Sequence, residues 1–458
     1  MTDTSNKEIQ SHYDFIVVGA GAAGSVLAAE LSASGAQILV VESGGPDDAP
    51  TIANPSVWFY NVGGPLYCHL PVNPQPQLNN RTFNMALGHV LGGGSSINAM
   101  VWTRGMQRDY DGWAKNGAEG WAFADGPIHI RRPKNPHPTA PAFIDAAREM
   151  GMPILDDVNG PMVPGAGYIN MNIAADGTRV SAARAFLRPA LAKPNLTLLL
   201  NTAVVKLNFK GIRCAGVRIN TGAEVRDIAA GNEVILTAGS INSPKRRPRF
   251  QGYAARSLPR CLRASEAVEA EAYLSSGPPG DPESDIDINL VFEQLPVVTP
   301  EAAARFDAPP EDVFTIAPAF VQLTSRGTVR LASNNFQDAA VIDGNYLRTD
   351  RDFAAIVREI EIMPGPKATA GEIRELARLG SASFGHAVGT CKMGVDKLAV
   401  VDPQLRVHGL TGLRVADASI MPRIITGPTN APTHMIAGRA ARLILGENTH
   451  YAERRVSV

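Results

Sequence analysis

Residues Tyr13–Gly45 read YDFIVVGAGAAGSVLAAELSASGAQILVVESGG, and the order of residue types in this stretch decides the fold. Phe15 to Val18 is a short, β-branched, uninterrupted apolar run, the pattern of a parallel strand buried on both faces. It stops at a glycine turn. Gly19 permits the tight bend, Gly21 lets the backbone approach a pyrophosphate, and Gly24 lets the following helix pack closely on the sheet. That helix begins at Ala22 and Ala23, where free backbone N–H groups and the helix dipole can bind phosphates without any lysine. Val26, Leu27 and Leu31 supply its apolar face, Gly35 ends it, and Ile38 to Val41 forms the next strand. Glu42 closes that strand near the position where a carboxylate hydrogen-bonds an unphosphorylated ribose, which favours FAD or NAD over NADP. The stretch is a dinucleotide-binding unit.

The rest of the composition suits a globular enzyme. With 458 residues the chain is two to three domain lengths, and its 45% hydrophobic and 19% charged residues are ordinary for a folded protein. A net charge of −1 gives no pull toward nucleic acid or anionic membrane. Cys68, Cys214, Cys261 and Cys391 are scattered, without metal-ligand spacing, and read as reduced thiols; no metal site is expected. The first twelve residues contain no apolar leader core, and no segment approaches the roughly 18 apolar residues of a membrane span. The expected location is the cytoplasm.

A second informative segment, Leu87–Trp113, reads LGHVLGGGSSINAMVWTRGMQRDYDGW. Its three consecutive glycines bring backbone close to a large planar ligand. LRVAD at Leu413–Asp417 is a short apolar strand running into a carboxylate, at the sheet edge where α/β folds bind ligands. Asp417 also suits a helix cap, and the two roles are compatible.

Together with EVILTAGSINSP at Glu233–Pro244, SRGTVRL at Ser325–Leu331, IDGNYL at Ile342–Leu347, and the run from HAVGTCKMG at His386 to TNAPTHMIAGRAA, these segments resemble the glucose–methanol–choline (GMC) oxidoreductases, flavoproteins that oxidise alcohols. They cover well over half the chain in family order. The resemblance implies FAD as cofactor. It places Gly19, Gly21 and Gly24 on the pyrophosphate and Glu42 on the adenosine ribose. Gly93, Gly94, Ser95, Asn98 and Ala99 are expected along the flavin, the backbone of Val205 at the adenine, and Asp417, Ala418, Asn430 and Thr433 at the ribityl chain and ring system.

Alcohol oxidation needs a base for the hydroxyl proton, a task suited to imidazole, and the flavin carries the hydride chemistry. Of nine histidines, His12, His129, His137 and His450 lie in polar, terminal or Pro-rich stretches, whereas His69, His89, His408 and His434 suit buried positions. His386 opens the segment resembling the family motif that holds the active-site histidine, so the resemblance makes it the base. The family's usual second histidine or asparagine is replaced by Pro428, which has no side-chain donor. A similar pattern around the histidine occurs in relatives acting on small aromatic or heteroaromatic alcohols, such as pyridoxine oxidase and hydroxymethylfurfural oxidase. Pro428 and Trp102, with Trp58, Phe59 and Tyr60, are candidates for the substrate pocket.

The chain also departs from the family. After SINSP it reads KRRPRFQGYAARSLPRCLR, whose seven positive charges, lack of acids and lack of amphipathic period resemble a solvated loop. The GxNLQDH-like element of the family is absent, and shortening is read near residues 123–126, 245–282 and 360–366.

The expected architecture is an α+β protein. A discontinuous Rossmann-like FAD domain spans 1–125, 190–250 and 385–458, and a substrate domain at 126–189 and 264–384 is built on an antiparallel sheet. Thr197–Leu200, Val204–Leu207 and Phe314–Leu323 are assigned to that sheet by their alternation. The expected reaction is oxidation of a small-molecule alcohol to a carbonyl, with electrons passing to oxygen or an organic acceptor. A FAD-containing lyase on the same scaffold, or a flavin-binding remnant without catalysis, are the alternatives.

Overall fold

The computed structural model describes residues 8–61, 63–115, 117–121, 139–160, 164–244, 268–275, 286–293, 299–306, 315–333, 338–362 and 368–446. Its strands, in chain order, begin with β1 (His12–Val18), β2 (Ile38–Val41), β3 (Tyr67–Pro71), β4 (Asn84–Gly88) and β5 (Gly165–Tyr168). There follow β6 (Leu196–Leu199), β7 (Ala203–Lys210), β8 (Arg213–Asn220), β9 (Val225–Leu236) and β10 (Val268–Ser275). The last five are β11 (Ile286–Glu293), β12 (Thr315–Phe320), β13 (Thr328–Arg330), β14 (Val341–Asp343) and β15 (Leu413–Val415).

The main sheet runs β6-β2-β1-β9-β8-β7, with β15 also paired to β9. β6, β2, β1, β9 and β15 are mutually parallel where they pair, and β7 and β8 fold back antiparallel at one side. β1 is covered on both faces, as its unbroken apolar run requires. Val17 packs with Leu27, Leu31 and Ile436 on one side, and Ile16 and Val18 pack with Leu39, Val217 and Ile219 on the other. The helix Ala22–Ser32 lies against the C-terminal helix Asn430–Leu445. Each large apolar side chain buried there contributes roughly 1.5–3 kcal/mol.

A second, antiparallel sheet has the order β12-β11-β10-β5. Of the three segments assigned to it by alternation, only the third, as β12, belongs there. Thr197–Leu200 lies in and just beyond β6, which pairs parallel with β2, and Val204–Leu207 lies in β7, paired with β8; both are in the main sheet. Alternation reports that one face is buried, and it carries no information about which sheet supplies the cover. Two hairpins, β3–β4 and β13–β14, complete the strands. The helix Asp350–Ile362 ends where shortening is read, whereas the cationic stretch after SINSP lies outside the described residues.

Candidate active site

Gly19 takes φ +104°, and a Cβ there would meet the Thr237 carbonyl oxygen at 2.7 Å, so only glycine fits the turn. A Cβ on Gly24 would lie 1.9 Å from the Gly19 oxygen, which confirms that this glycine is needed for close helix packing. Thr237, at the end of β9, locks the turn by donating from Oγ1 to Gly19 O at 2.8 Å. A second glycine loop meets the first: a Cβ on Gly93 would stand 2.9 Å from Gly21 Cα. No side chain caps the helix at Gly21, so its N-terminus is left to a ligand.

The two loops open onto a cleft enclosing about 2140 Å³ of non-protein space, part of it continuous with solvent. Of the residues expected from the sequence, Gly19, Gly21, Ala22, Ala23, Glu42, Gly93, Gly94, Ser95, Asn98, Asp417, Ala418, Asn430, Thr433 and His386 line it. The strand ends of β1, β9 and β15 thus converge with residues from both ends of the chain.

Glu42 is buried, and its two carboxylate oxygens accept from the backbone N–H groups of Ala20 and Gly44, each at 2.7 Å. It therefore staples the glycine turn to the second strand as well as facing the cleft. Asp417 is also buried. It accepts from Gly239 N at 2.8 Å, from Ser419 N at 2.9 Å and from the hydroxyls of Ser243 and Ser419. The cap expected at this position is present, and the carboxylate ties the strand-end turn after β9 to the turn after β15. Burial raises its pKa while these donors oppose the shift.

His386 stands half-buried on the cleft wall. Its segment leans on β4, where a Cβ on Gly385 would lie 3.3 Å from Ala86 O. Burial lowers the imidazole to about 4, so the ring is neutral at pH 7. Phe384 flanks it with ring centroids 6.3 Å apart. His69 and His89 line the same cleft, His434 is buried between Trp102 and Phe186, and His408 is exposed rather than buried.

Several expected site residues lie elsewhere. Gly24 serves packing rather than the cleft wall, as its steric role implies. Thr202, Ala203 and Val204 line the cleft, and Val205 is not among the lining residues. Ala99 packs with the apolar cluster around Met100 and Met171. Trp102 is 2% exposed against His434, and neither it nor Pro428 is among the lining residues. Phe59 is likewise buried, and Trp58, Phe59 and Tyr60 do not line the cleft. Conversely, Tyr67, His69, Ser240 and Asn242 line it without having been singled out for the site. The signal for Ser240 and Asn242 was their place in the EVILTAGSINSP segment, directly after the β9 apolar run.

The cleft fits FAD. Asn430 Nδ2, Ser240 Oγ, Asn242 Oδ1 and His69 Nε2 are buried atoms of lining residues without a hydrogen-bond partner in the protein, the signature of groups satisfied by a ligand. A Cβ on Gly94 would meet nothing within 4 Å, leaving open space beside the loop. Residues 13–245 match the GMC oxidoreductase N-terminal family model, and residues 324–437 match the C-terminal one. The chain belongs to the GMC oxidoreductases. Oxygen-dependent choline dehydrogenase of Sinorhizobium medicae is 34% identical over 538 aligned positions, covering 95% of this chain and 96% of the relative. That span exceeds the 458 residues present here, so the missing positions are internal. Human mitochondrial choline dehydrogenase is 31% identical, covering 97% and 91%. Among solved structures, pyridoxine 4-oxidase from Mesorbium loti superposes with a TM-score of 0.84 at 27% identity, covering 96% of this chain and all of the other. This GMC chain is accordingly an FAD-dependent oxidoreductase acting on alcohol CH–OH groups. The relatives named here are dehydrogenases and an oxidase, which leaves the lyase without support. Among the described residues, no helix is long and apolar enough to cross a membrane.

Proposed function

We propose that His386 is the base of this oxidoreductase and that its substrate is a small neutral alcohol. The observation that carries this reading is the position of His386: a neutral imidazole on the wall of the cleft that both glycine loops enter, its ring hydrogen-bonded to nothing among the described residues. In this reading Gly19, Gly21, Ala22 and Ala23 hold the pyrophosphate through backbone N–H groups. Glu42 meets the adenosine ribose, Thr202 to Val204 flank the adenine, and Gly93, Gly94, Ser95, Asn98, Ala418, Asn430 and Thr433 hold the ribityl chain and ring system. Bound FAD supplies the hydride acceptor. His386 takes the hydroxyl proton, and because it is already neutral at physiological pH no prior deprotonation is needed. Proline at position 428 has no side-chain donor or acceptor to offer as a second catalytic group.

The choice of a neutral substrate rests on charge. Among the described lining residues the carboxylates are Glu42 and Asp417, and backbone or hydroxyl donors already occupy both. Tyr67 and Phe384 can take an aromatic ring or, through their ring faces, a quaternary ammonium, and the lack of a free acid favours the neutral aromatic or heteroaromatic alcohol. We further propose that residues 1–125, 190–250 and 385–458 form the FAD domain, that 126–189 and 264–384 form the substrate domain, and that the protein works in the cytoplasm; fractionation of the native host tests the last point.

The experiment is anaerobic addition of alcohols, including choline and aromatic alcohols, to the purified yellow protein. Bleaching by aromatic alcohols and not by choline is expected, and His386→Ala should keep its flavin but bleach at least 100-fold more slowly. Bleaching at full rate without the imidazole would remove His386 from its role. Reoxidation by oxygen or by an organic acceptor then identifies the electron acceptor.

A further inference from the structure

Arg179 is 2% exposed, and no carboxylate pairs with it among the described residues. Its Nε donates to Ile52 O at 2.8 Å, while Nη1 donates to Asn98 Oδ1 at 2.7 Å and to Ser95 O at 3.3 Å. Nη2 is buried without a partner. Burying a guanidinium without a counter-ion is costly, and burial lowers this one to about 9. Nothing in local packing repays that cost, since the same carbonyls would accept from a neutral amide.

The contacts show where the charge acts. Ser95 and Asn98 both line the cleft, so Arg179 stands directly behind the second glycine loop. Asn98 Oδ1 also accepts from Met100 N at 3.0 Å, and Met100 is held at φ +61°. With its oxygen claimed by two donors, the Asn98 amide must turn its NH₂ away from them, as a donor for the ligand. The Ser95 hydroxyl is fixed in turn by Ala182 N at 3.0 Å, three residues beyond Arg179.

We propose that Arg179 is a positioning residue whose buried positive charge, set behind the Ser95–Asn98 loop, favours the reduced, negatively charged form of the bound flavin. The charge balance of the reaction creates the need. The alcohol's hydroxyl proton goes to the base and its carbon-bound hydride goes to the flavin, which gains two electrons, one proton and one net negative charge. A fixed cation in a low-dielectric site is worth more than one in water. The proposal rests on the reading that this loop faces the flavin.

The test is the two-electron midpoint potential of the bound flavin in Arg179→Gln and Arg179→Lys. Arg179→Gln keeps donors for the loop and loses the charge. It should bind reduced flavin at least tenfold less well relative to oxidised flavin, a drop of about 30 mV or more. Arg179→Lys should stay near the wild type. An unmoved potential in Arg179→Gln, or equal drops in both variants, would overturn the proposal. Should Arg179→Gln not retain flavin, Arg179→Lys decides alone: a potential near that of the wild type supports the charge role, and a tenfold loss rejects it. Asn98→Ala separates the two readings. If it leaves FAD affinity unchanged, the loop does not face the flavin; if it weakens binding while Arg179→Gln leaves the potential unmoved, only the charge argument fails.

Discussion

Asp109 holds Thr426 across 317 residues of sequence: Thr426 N donates to its Oδ2 at 2.8 Å and Thr426 Oγ1 to its Oδ1 at 3.1 Å. Gln322 Nε2 donates to the same carboxylate at 3.1 Å and Met106 N at 2.8 Å. One half-buried side chain thereby joins the helix Gln107–Lys115, the segment after β12, and the loop that leads into Asn430 and the C-terminal helix.

Asp109→Ala leaves several buried donors unsatisfied, so a loss of about 3 kcal/mol is expected, read from denaturant unfolding. Because the freed loop carries Thr429 and Asn430 into the cleft, FAD affinity should fall in the same variant. Unchanged stability would mean that water or a neighbouring group replaces the carboxylate without cost.

Gly24→Ala tests the steric reading of the first turn. A Cβ 1.9 Å from Gly19 O and 2.8 Å from Thr237 Oγ1 has no room, and the atoms it meets are mainly backbone. The turn must open, so the purified variant should be colourless or lose its flavin on dilution. Retention of stoichiometric FAD would show that the helix can slide away from the sheet.

With His386 as the proposed base, its imidazole should set the acid limb of the pH–rate profile. Because burial lowers its imidazole toward 4, the neutral form predominates well below the ordinary 6.5, and the fall in kcat/KM on acidification should lie between about pH 4 and 6.5. A limb at 7 or above would assign the titration to another group.

Glu271 supplies a separate pH signal in the second sheet. It is fully buried; Tyr273 OH and Asn289 Nδ2 each donate to it at 3.1 Å, and burial raises it to about 7 from 4.5. A carboxyl whose folded pKa is raised contributes stability that is present below pH 4.5 and is lost as pH climbs to about 7. Glu271→Gln cannot ionise. Its stability relative to the wild type should therefore improve between pH 4.5 and 7, by at most about 3 kcal/mol, as measured by unfolding at each pH. A constant difference would show that burial leaves the Glu271 carboxyl unshifted between the folded and unfolded states.

The strand, glycine turn, helix and second strand at Tyr13–Gly45 were legible in the sequence because each depends on local chemistry. Periodicity marks the buried faces, and Gly19 and Gly24 are needed by backbone contacts a few residues away or at the adjoining strand end. Glu42, His386 and Asp417 were likewise found from sequence and do line one cleft. Only the tertiary structure decided that Thr202 to Val204, and not Val205, reach that cleft, since the cleft wall is assembled from segments distant in the chain. It alone placed Thr197–Leu199 beside β2 and buried Trp102 against His434. Arg179 illustrates the same limit. Nothing in its neighbourhood in the chain marks it as a buried cation, because the groups that receive it, Ile52, Ser95 and Asn98, lie 127, 84 and 81 residues away. Residue type and period determine what an element is and which face it buries; hydrogen-bond partners and strand register are pairings between distant segments, and these exist only once the chain has closed on itself.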